Sequence, residues 1–410
     1  MVVFLCIIND IDADIILQCL IKCRDMFIET VNQTQCRVSP YMNLRGCAVK
    51  MRASVKVFFH LFMALALTVC GVNLSVAQQS ESTQNASEAS QGQFLGAKPT
   101  EYPSWFKESF LEFSDDIAEA AEQGKRVMLV FHQDGCPYCN LLVERNLSQK
   151  NIVDLMQAKL DVIAINMWGD REVVTVEGEP FTEKQLAAAL RVQFTPTLLF
   201  FNESGKPILT LNGYLPPDEF LTALRYVTQG QETQVTYREF VRDNLPESDG
   251  LGDLMAQPFF QAPPYDFRRQ GNGSGKPLAV FFEQKQCPNC QTLHTKVLVD
   301  HQTRDLIAKY DVAQLDMWSN TPIVTPEGLQ TTAKDWASAL QVSFAPTIVL
   351  FDQSGQEAIR SEAWFKIFHT QSLFDYVLTE SHRSQPSFQR YISDRADHLI
   401  EQGVDVNIWE

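Results

Sequence analysis

Apolar positions fall along this chain in two matching series. Each begins with an unbroken apolar run, Val127-Met128-Leu129-Val130-Phe131 in the first and Leu278-Ala279-Val280-Phe281-Phe282 in the second. A run of that length before a helix start reads as a strand. Each leads into a helix start, at Cys136-Pro137-Tyr138-Cys139 and Cys287-Pro288-Asn289-Cys290. The spacing after Cys136 predicts a helix to about Gln157 and a strand from Val162 to Met167. A polar excursion then runs from Val173 to Gly178. Thr182 is placed to cap a helix through Leu186, Leu190 and Val192. A strand at Leu198–Phe201, a turn at Asn202-Glu203-Ser204-Gly205 and a strand through Leu209 to Leu211 follow, then a helix from Pro217 to about Thr228. Upstream, Ser114 is placed to cap a helix through Ile117, Ala118 and Ala121 to Gly124.

The second series repeats the first landmark by landmark. Cys136 and Cys287 are 151 residues apart, and Met167-Trp168 and Met317-Trp318 are 150 apart. Glu177-Gly178 recurs as Glu327-Gly328, Thr195-Pro196-Thr197 as Ala345-Pro346-Thr347, and the turn at Asn202 as Asp352-Gln353-Ser354-Gly355. The tails match too: Thr236-Tyr237-Arg238-Glu239-Phe240-Val241 is echoed by Ser387-Phe388-Gln389-Arg390-Tyr391-Ile392. A tandem duplication follows, one unit over 102–245 and one over 262–405, joined by a linker at 246–261 and each ending in an amphipathic helix. The fold class is α/β, two tandem domains with a central mixed sheet flanked by helices.

Ahead of the first unit, Met51-Arg52 and Lys56 precede an apolar run from Val57 to Val69, and Ser75-Val76-Ala77 offers small residues for cleavage. This is a secretory signal at 51–77, cut near Ala77, and too short for a membrane span of about 20 residues. It implies a periplasmic or otherwise exported protein with no stable membrane insertion after cleavage. It also places the natural start at Met51, with 1–50 a mis-assigned, unstructured extension. Residues 78–101, rich in Gln, Ser, Thr and Ala, read as a disordered tether.

Composition adds two constraints. The net charge of −16 on 410 residues, with no basic run, argues against nucleic acid as a partner. Of ten cysteines, those at 6, 19, 23, 36, 47 and 70 precede the folded units; the other four are the two Cys-x-x-Cys pairs. An exported chain without spare thiols retains those four for chemistry. A thiol at a helix start meets free backbone N–H groups and the positive end of the helix dipole, which favour its reactive thiolate. A second thiol one turn on can resolve a mixed disulfide.

A strand, a Cys-x-x-Cys helix and, about 60 residues later, an apolar-x-Pro-Thr before a strand resembles the thioredoxin fold. The likeness extends to thioredoxin-related proteins of the bacterial envelope, including those associated with sulfur oxidation, which share the polar excursion and the Gly213-Tyr214 pair after the last strand. The resemblance implies that Cys136 and Cys287 are nucleophiles and that Cys139 and Cys290 resolve. It implies that Pro196 and Pro346 are cis and that Thr195, Pro196, Ala345 and Pro346, with Pro137, Tyr138, Pro288 and Asn289, bind substrate. Protein thiols and disulfides are the implied partners, fed by a membrane thiol-reductant transporter, and no cofactor is implied. The chain departs from thioredoxin in carrying Val130 and Phe281 six residues before the first cysteine, where thioredoxin has a buried acid. The second unit also lacks the Gly-Tyr pair, having Ala363-Trp364 there.

Other readings remain open. The reaction could run as isomerase or oxidase chemistry, or the chain could be a redox-inert peptide-binding or chaperone module. A shared zinc site is disfavoured by the separation of the pairs, and haem attachment is excluded by Asn140 and Gln291 after the second cysteines. Copper delivery finds only His132 and His294, at non-matching positions, read as surface or loop histidines. Trp168 and Trp318 are read as core or rim packing.

Overall fold

The computed structural model describes residues 91–244, 253–269, 275–363 and 365–409. The expected signal and leading extension, most of the tether and Trp364 lie outside them. No helix among the described residues is long and apolar enough to cross a membrane.

The first repeat runs α1 (Phe113–Glu122), β2 (Arg126–His132), α2 (Pro137–Leu141), α3 (Lys150–Lys159), β3 (Leu160–Asn166), β4 (Glu172–Val174), β5 (Pro180–Thr182), α4 (Glu183–Ala189), β6 (Thr197–Phe201), β7 (Pro207–Asn212), α5 (Pro217–Thr228) and α6 (Tyr237–Asn244), after a short strand β1 (Phe94–Leu95). Its sheet has the order β3-β2-β6-β7. β2 is parallel to β3 and antiparallel to β6. Met128 and Val130 face the core under α3 and α5, whereas Val127, Leu129 and Phe131 face the core with α1 and α4. That two-sided burial is why the strand carries no polar alternation.

The second repeat runs β8 (Tyr265–Asp266), β9 (Leu278–Glu283), α7 (Pro288–Thr292), α8 (His301–Ile307), β10 (Asp311–Asp316), β11 (Pro322–Val324), β12 (Gln330–Thr332), α9 (Ala333–Ala339), β13 (Thr347–Phe351), β14 (Glu357–Ser361), α10 (Ile367–Leu378), the single turn α11 (Ser381–Ser384), α12 (Phe388–Glu401) and β15 (Val406–Asn407). Its sheet order, β10-β9-β13-β14, reproduces the first.

Several local expectations are met and others corrected. Thr182 caps α4 in a reciprocal capping box with Gln185. Ser114 does not cap α1: the N-cap is Glu112, without a side-chain bond, and Asp115 and Asp116 in the first turn face the helix dipole instead. The helix expected from Cys136 to Gln157 is broken. After α2 the chain widens into a π-helical turn at Leu142–Asn146, where Leu147 N–H reaches back to Leu142 O. The widening lets buried Asn146 donate to Leu215 O at 2.9 Å.

The tether and linker boundaries also shift. Within 91–101, β1 pairs in parallel with β15, and Gln93 N–H donates to Asp405 at 2.8 Å. A composition that forms no core of its own is here ordered by a partner strand far along the chain. Within the expected linker, Phe260 packs on Phe281 with ring centroids 5.2 Å apart, and Gln261 N–H donates to Val312 O at 2.9 Å. The second fold therefore begins before residue 262.

The two repeats close face to face, each finishing the other's core. Cys136, Tyr138, Cys139 and Phe194 belong to the same apolar cluster as Phe281, Phe365, Phe374 and Phe388 of the second repeat. Phe344 of the second repeat joins the first repeat's cluster. The contacts are reciprocal: Phe388 on α12 packs on Phe194 at 5.5 Å, and its counterpart Tyr237 on α6 packs on Phe344 at 5.6 Å. Asn212 donates to its own counterpart Glu362 at 2.8 Å across 150 residues. A residue bonded to its own repeat lies on a local two-fold axis, so the chain is built as a dimer of itself.

Candidate functional site

Each Cys-x-x-Cys motif sits where its strand ends and a short helix starts. Cys136 and Cys287 are the N-caps of α2 and α7, with extended backbone, and each sulfur accepts the N–H of the second cysteine at 3.0 Å. Pro137 and Pro288 fill the first helical position, where a missing N–H leaves nothing unpaired. The helix start thus gives the first sulfur the N–H environment that favours an anion. Both pairs are disulfide-bonded, with Cα atoms 5.3 Å and 5.2 Å apart.

The Thr195–Pro196 and Ala345–Pro346 peptide bonds are cis. Cys136 Sγ lies 3.4 Å from Thr195 O, and Cys287 Sγ 3.5 Å from Ala345 O. The sulfur of each nucleophile candidate is thus against the carbonyl that precedes the proline. The Pro196 carbonyl is already occupied by Gly213 N–H at 2.8 Å. Gly213 has φ +94, and a Cβ there would meet Ala363 Cβ at 3.5 Å across the repeat interface.

The surroundings of the two motifs differ. In the first, Pro137, Tyr138, Cys139 and Asn140 are all buried; in the second, only Cys290 is. Tyr138 is pinned by the second repeat: its hydroxyl accepts Lys366 N–H at 3.0 Å, and its ring meets Phe365 at 5.4 Å and His369 at 5.0 Å. Burial drives the Tyr138 hydroxyl well above its usual range. Burial lowers His369 to about 4, with Lys366 acting in the same direction, so the imidazole is neutral near pH 7. The terminal segments add a second cover. Asn140 donates to Lys98 O at 3.3 Å, Lys98 stands over the Trp409 ring, and Lys366 Nζ donates to Trp409 O.

In the second motif Pro288 is exposed and Asn289 half-buried. Asn289 Nδ2 donates to Glu219 Oε1 of the first repeat. Burial raises the Glu219 carboxyl to about 7, with the Asn289 bond opposing the rise and nearby Asp218 adding to it.

The structure also places groups that pattern reading missed or misjudged. Val130 and Phe281 are fully buried, as apolar residues must be there. Two residues after Phe281, on the same face of β9, Glu283 is buried and 2.9 Å from His294, which lies one turn after Cys290. His294 is therefore not a surface histidine. Its other ring nitrogen meets Gln257 at 3.1 Å, and Gln314 donates to Glu283 at 3.0 Å. The first repeat has His132, Val143 and Ala164 at the matching places, so the network is confined to the second. An acidic residue at the end of an apolar strand was the available signal.

Trp168 and Trp318 hold rim positions. Their indole N–H groups donate to Gln133 and Gln284, and Arg390 and Arg238 of the opposite repeats lie over the rings at 4.7 Å and 3.9 Å. Among the described residues no cluster of His, Cys, Asp and Glu is arranged to hold a metal ion.

No curated protein matches the chain. Among solved structures, it is similar to a thioredoxin-fold protein from Helicobacter pylori, at 23% identity over 34% of this chain and 93% of that one, with a TM-score of 0.26. It is similar to a thioredoxin from Thermus thermophilus, at 31% identity over 28% of this chain and 83% of that one, with a TM-score of 0.23. The oxidised C-terminal domain of DsbD from Neisseria meningitidis is 16% identical over 28% of this chain and 92% of that one, with a TM-score of 0.22. The sequence profile of the thioredoxin-like domain matches residues 113–228 and 269–364, together more than half the chain and including all four motif cysteines and the cis prolines Pro196 and Pro346. The chain belongs to the thioredoxin-like domain family, which it contains twice.

Proposed function

We propose that this protein is an exported thiol–disulfide oxidoreductase working in the reducing direction. The observation that carries the reading is the pairing, in both repeats, of two cysteines within bonding distance at a helix start, the first sulfur against the carbonyl before a cis proline. In the reduced protein, the thiolate of Cys136 or Cys287 attacks one sulfur of a substrate disulfide. The substrate S–S bond breaks, a mixed disulfide forms, and the departing thiolate takes a proton. Cys139 or Cys290 then loses its proton and attacks the mixed disulfide, releasing the second substrate thiol. The protein pair ends as a disulfide, two electrons having passed to substrate.

Export rests on the 51–77 pattern, and a membrane thiol-reductant transporter would then regenerate the dithiols. The cysteines are assigned to nucleophilic attack and resolution, and the proline loops, with Pro288 and Asn289, to substrate contact; Pro137 and Tyr138, expected to share that contact, are covered by the second repeat. The test is insulin-disulfide reduction by the full chain and by the Cys136→Ser, Cys287→Ser double variant. Turnover should vanish in the variant. Retained turnover, or peptide binding with no turnover in the parent, would overturn the reading. Glutathione titration of each pair fixes the direction, potentials near that of thioredoxin supporting a reductase and much higher ones an oxidase or isomerase.

A further inference from the structure

Glu219 and His369 occupy the same place in their repeats, the third residue of α5 and of α10, 150 residues apart. Each reaches across the interface to the second variable residue of the other repeat's motif. His369 meets the Tyr138 ring, and Glu219 accepts from Asn289. The same position is therefore a neutral imidazole over one dithiol and a carboxyl beside the other. Nothing in the fold of the second repeat alone supplies that carboxyl.

We propose that Glu219 of the first repeat is a positioning residue for the second repeat's dithiol, holding Asn289 at the start of α7 and setting the reactivity of Cys287 by its charge, so that the two dithiols differ in reducing power. The inference rests on the oxidoreductase reading. The groups that face Glu219 are Asp218 from its own helix, Tyr214 from the preceding loop, Tyr237 from α6 and Asn289 from α7. Among the described residues these groups include no cation, Arg145 acting on Tyr214 and not on Glu219, and the Tyr237 hydroxyl is buried without a hydrogen-bond partner. A carboxylate formed there is offset by the Asn289 amide, and it opposes a second negative charge at the helix start that Asn289 shares with Cys287, two residues before it. On the other side, His369 faces Tyr138 and Lys366 and brings no negative charge. An ionised Glu219 therefore disfavours the Cys287 thiolate and with it the reduced pair. The exchange is balanced by glutathione: the Cys287–Cys290 disulfide and two glutathione thiols give the dithiol and one glutathione disulfide.

The experiment equilibrates the full chain with glutathione buffers and follows each pair by alkylation and mass spectrometry, alongside the pH profile of Cys287 alkylation. The expected result is that Glu219→Gln favours the reduced Cys287–Cys290 pair by about tenfold, equal to about 30 mV, with the Cys136–Cys139 pair unmoved. The Cys287 profile moves to lower pH in that variant, and Glu219→Asp restores part of the shift. Asn289→Ala approaches the same contact from the other side and moves the same profile. If neither variant moves the Cys287 profile or its equilibrium, or if both pairs move together, the inference is overturned. If the parent's pairs never exchange with glutathione, the oxidoreductase reading fails instead, and the inference with it.

Discussion

The two cysteine motifs share one backbone design and meet opposite fates. After Cys136 the next four residues are buried under Phe365, Lys366, His369 and the terminal segments; after Cys287 the proline is exposed and only Cys290 is buried. Cys136 is 2% exposed and Cys287 7%, so neither sulfur is bare, but only the second has an open rim. Thr195 is buried where its counterpart Ala345 is half-buried. A duplication can keep one chemistry in both copies while the interface between them decides which copy meets the outside. The closed form reads as an entry site in the second repeat and a sealed site in the first.

The largest effect should separate the cysteines. Cys287→Ser should remove most insulin-disulfide turnover, by about 100-fold or about 2.7 kcal/mol of barrier, while Cys136→Ser leaves most of it. Equal losses in steady-state assays would break the comparison. Tyr138→Ala should lift the seal. It opens a cavity under Phe365 and His369, and about 3 kcal/mol of stability should be lost on denaturant unfolding. In the same variant, alkylation of reduced Cys136 should rise towards that of Cys287. Arg238→Ala tests the reciprocal clamp. That guanidinium donates to Val342 O at 2.6 Å and to Met317 O, and burial with Arg242 nearby lowers it only to about 10, so it is charged at neutral pH. Its loss should cost about 2 kcal/mol and raise exposure of the second repeat's proline loop to hydrogen exchange.

A pH dependence sharpens the comparison further. Because the folded Glu219 carboxyl is raised to about 7, the stability it contributes is complete below its unfolded value near 4.5 and is lost as pH rises through 7. Gln has no proton to lose. The Tm of Glu219→Gln relative to the parent should therefore be higher at pH 8 than at pH 5, read by calorimetry at both. A difference that falls with rising pH would show that the carboxyl is better solvated than its setting implies.

Much of this molecule was legible in its sequence where the determinants are local. The apolar runs at Val127 and Leu278, the Thr182 cap and the α5 span needed only neighbouring residues. The thioredoxin-like fold came from the resemblance of the Cys-x-x-Cys and Pro-Thr motifs to that family. The closure of the repeats was not legible, because Tyr138, Phe194, Phe344 and Phe388 carry the same apolar signature whether they fill their own core or a neighbour's. The cross-repeat bonds of Asn212 with Glu362 and of Asn289 with Glu219 join polar residues whose contact no local periodicity signals. The Glu283–His294 pair escaped because matching the repeats favoured shared residues, and this pair is present once. The two-residue strands β1 and β15 are too short to leave a pattern.

Pairing of β1 with β15 also imposes an order of manufacture. The lock on the first site uses Gln93 and Asp405, 312 residues apart. On a ribosome working at about 5–20 residues per second, Val406 follows Cys136 by roughly fifteen to fifty seconds. Through that interval the nascent first repeat has its thiols without their cover, open to whatever oxidant or partner meets the emerging chain. Closure by the last segment should then slow exchange at Cys136 and Cys139 relative to the emerging chain. Pulse-alkylation of stalled chains should find Cys136 reactive until the last segment emerges and protected once it has.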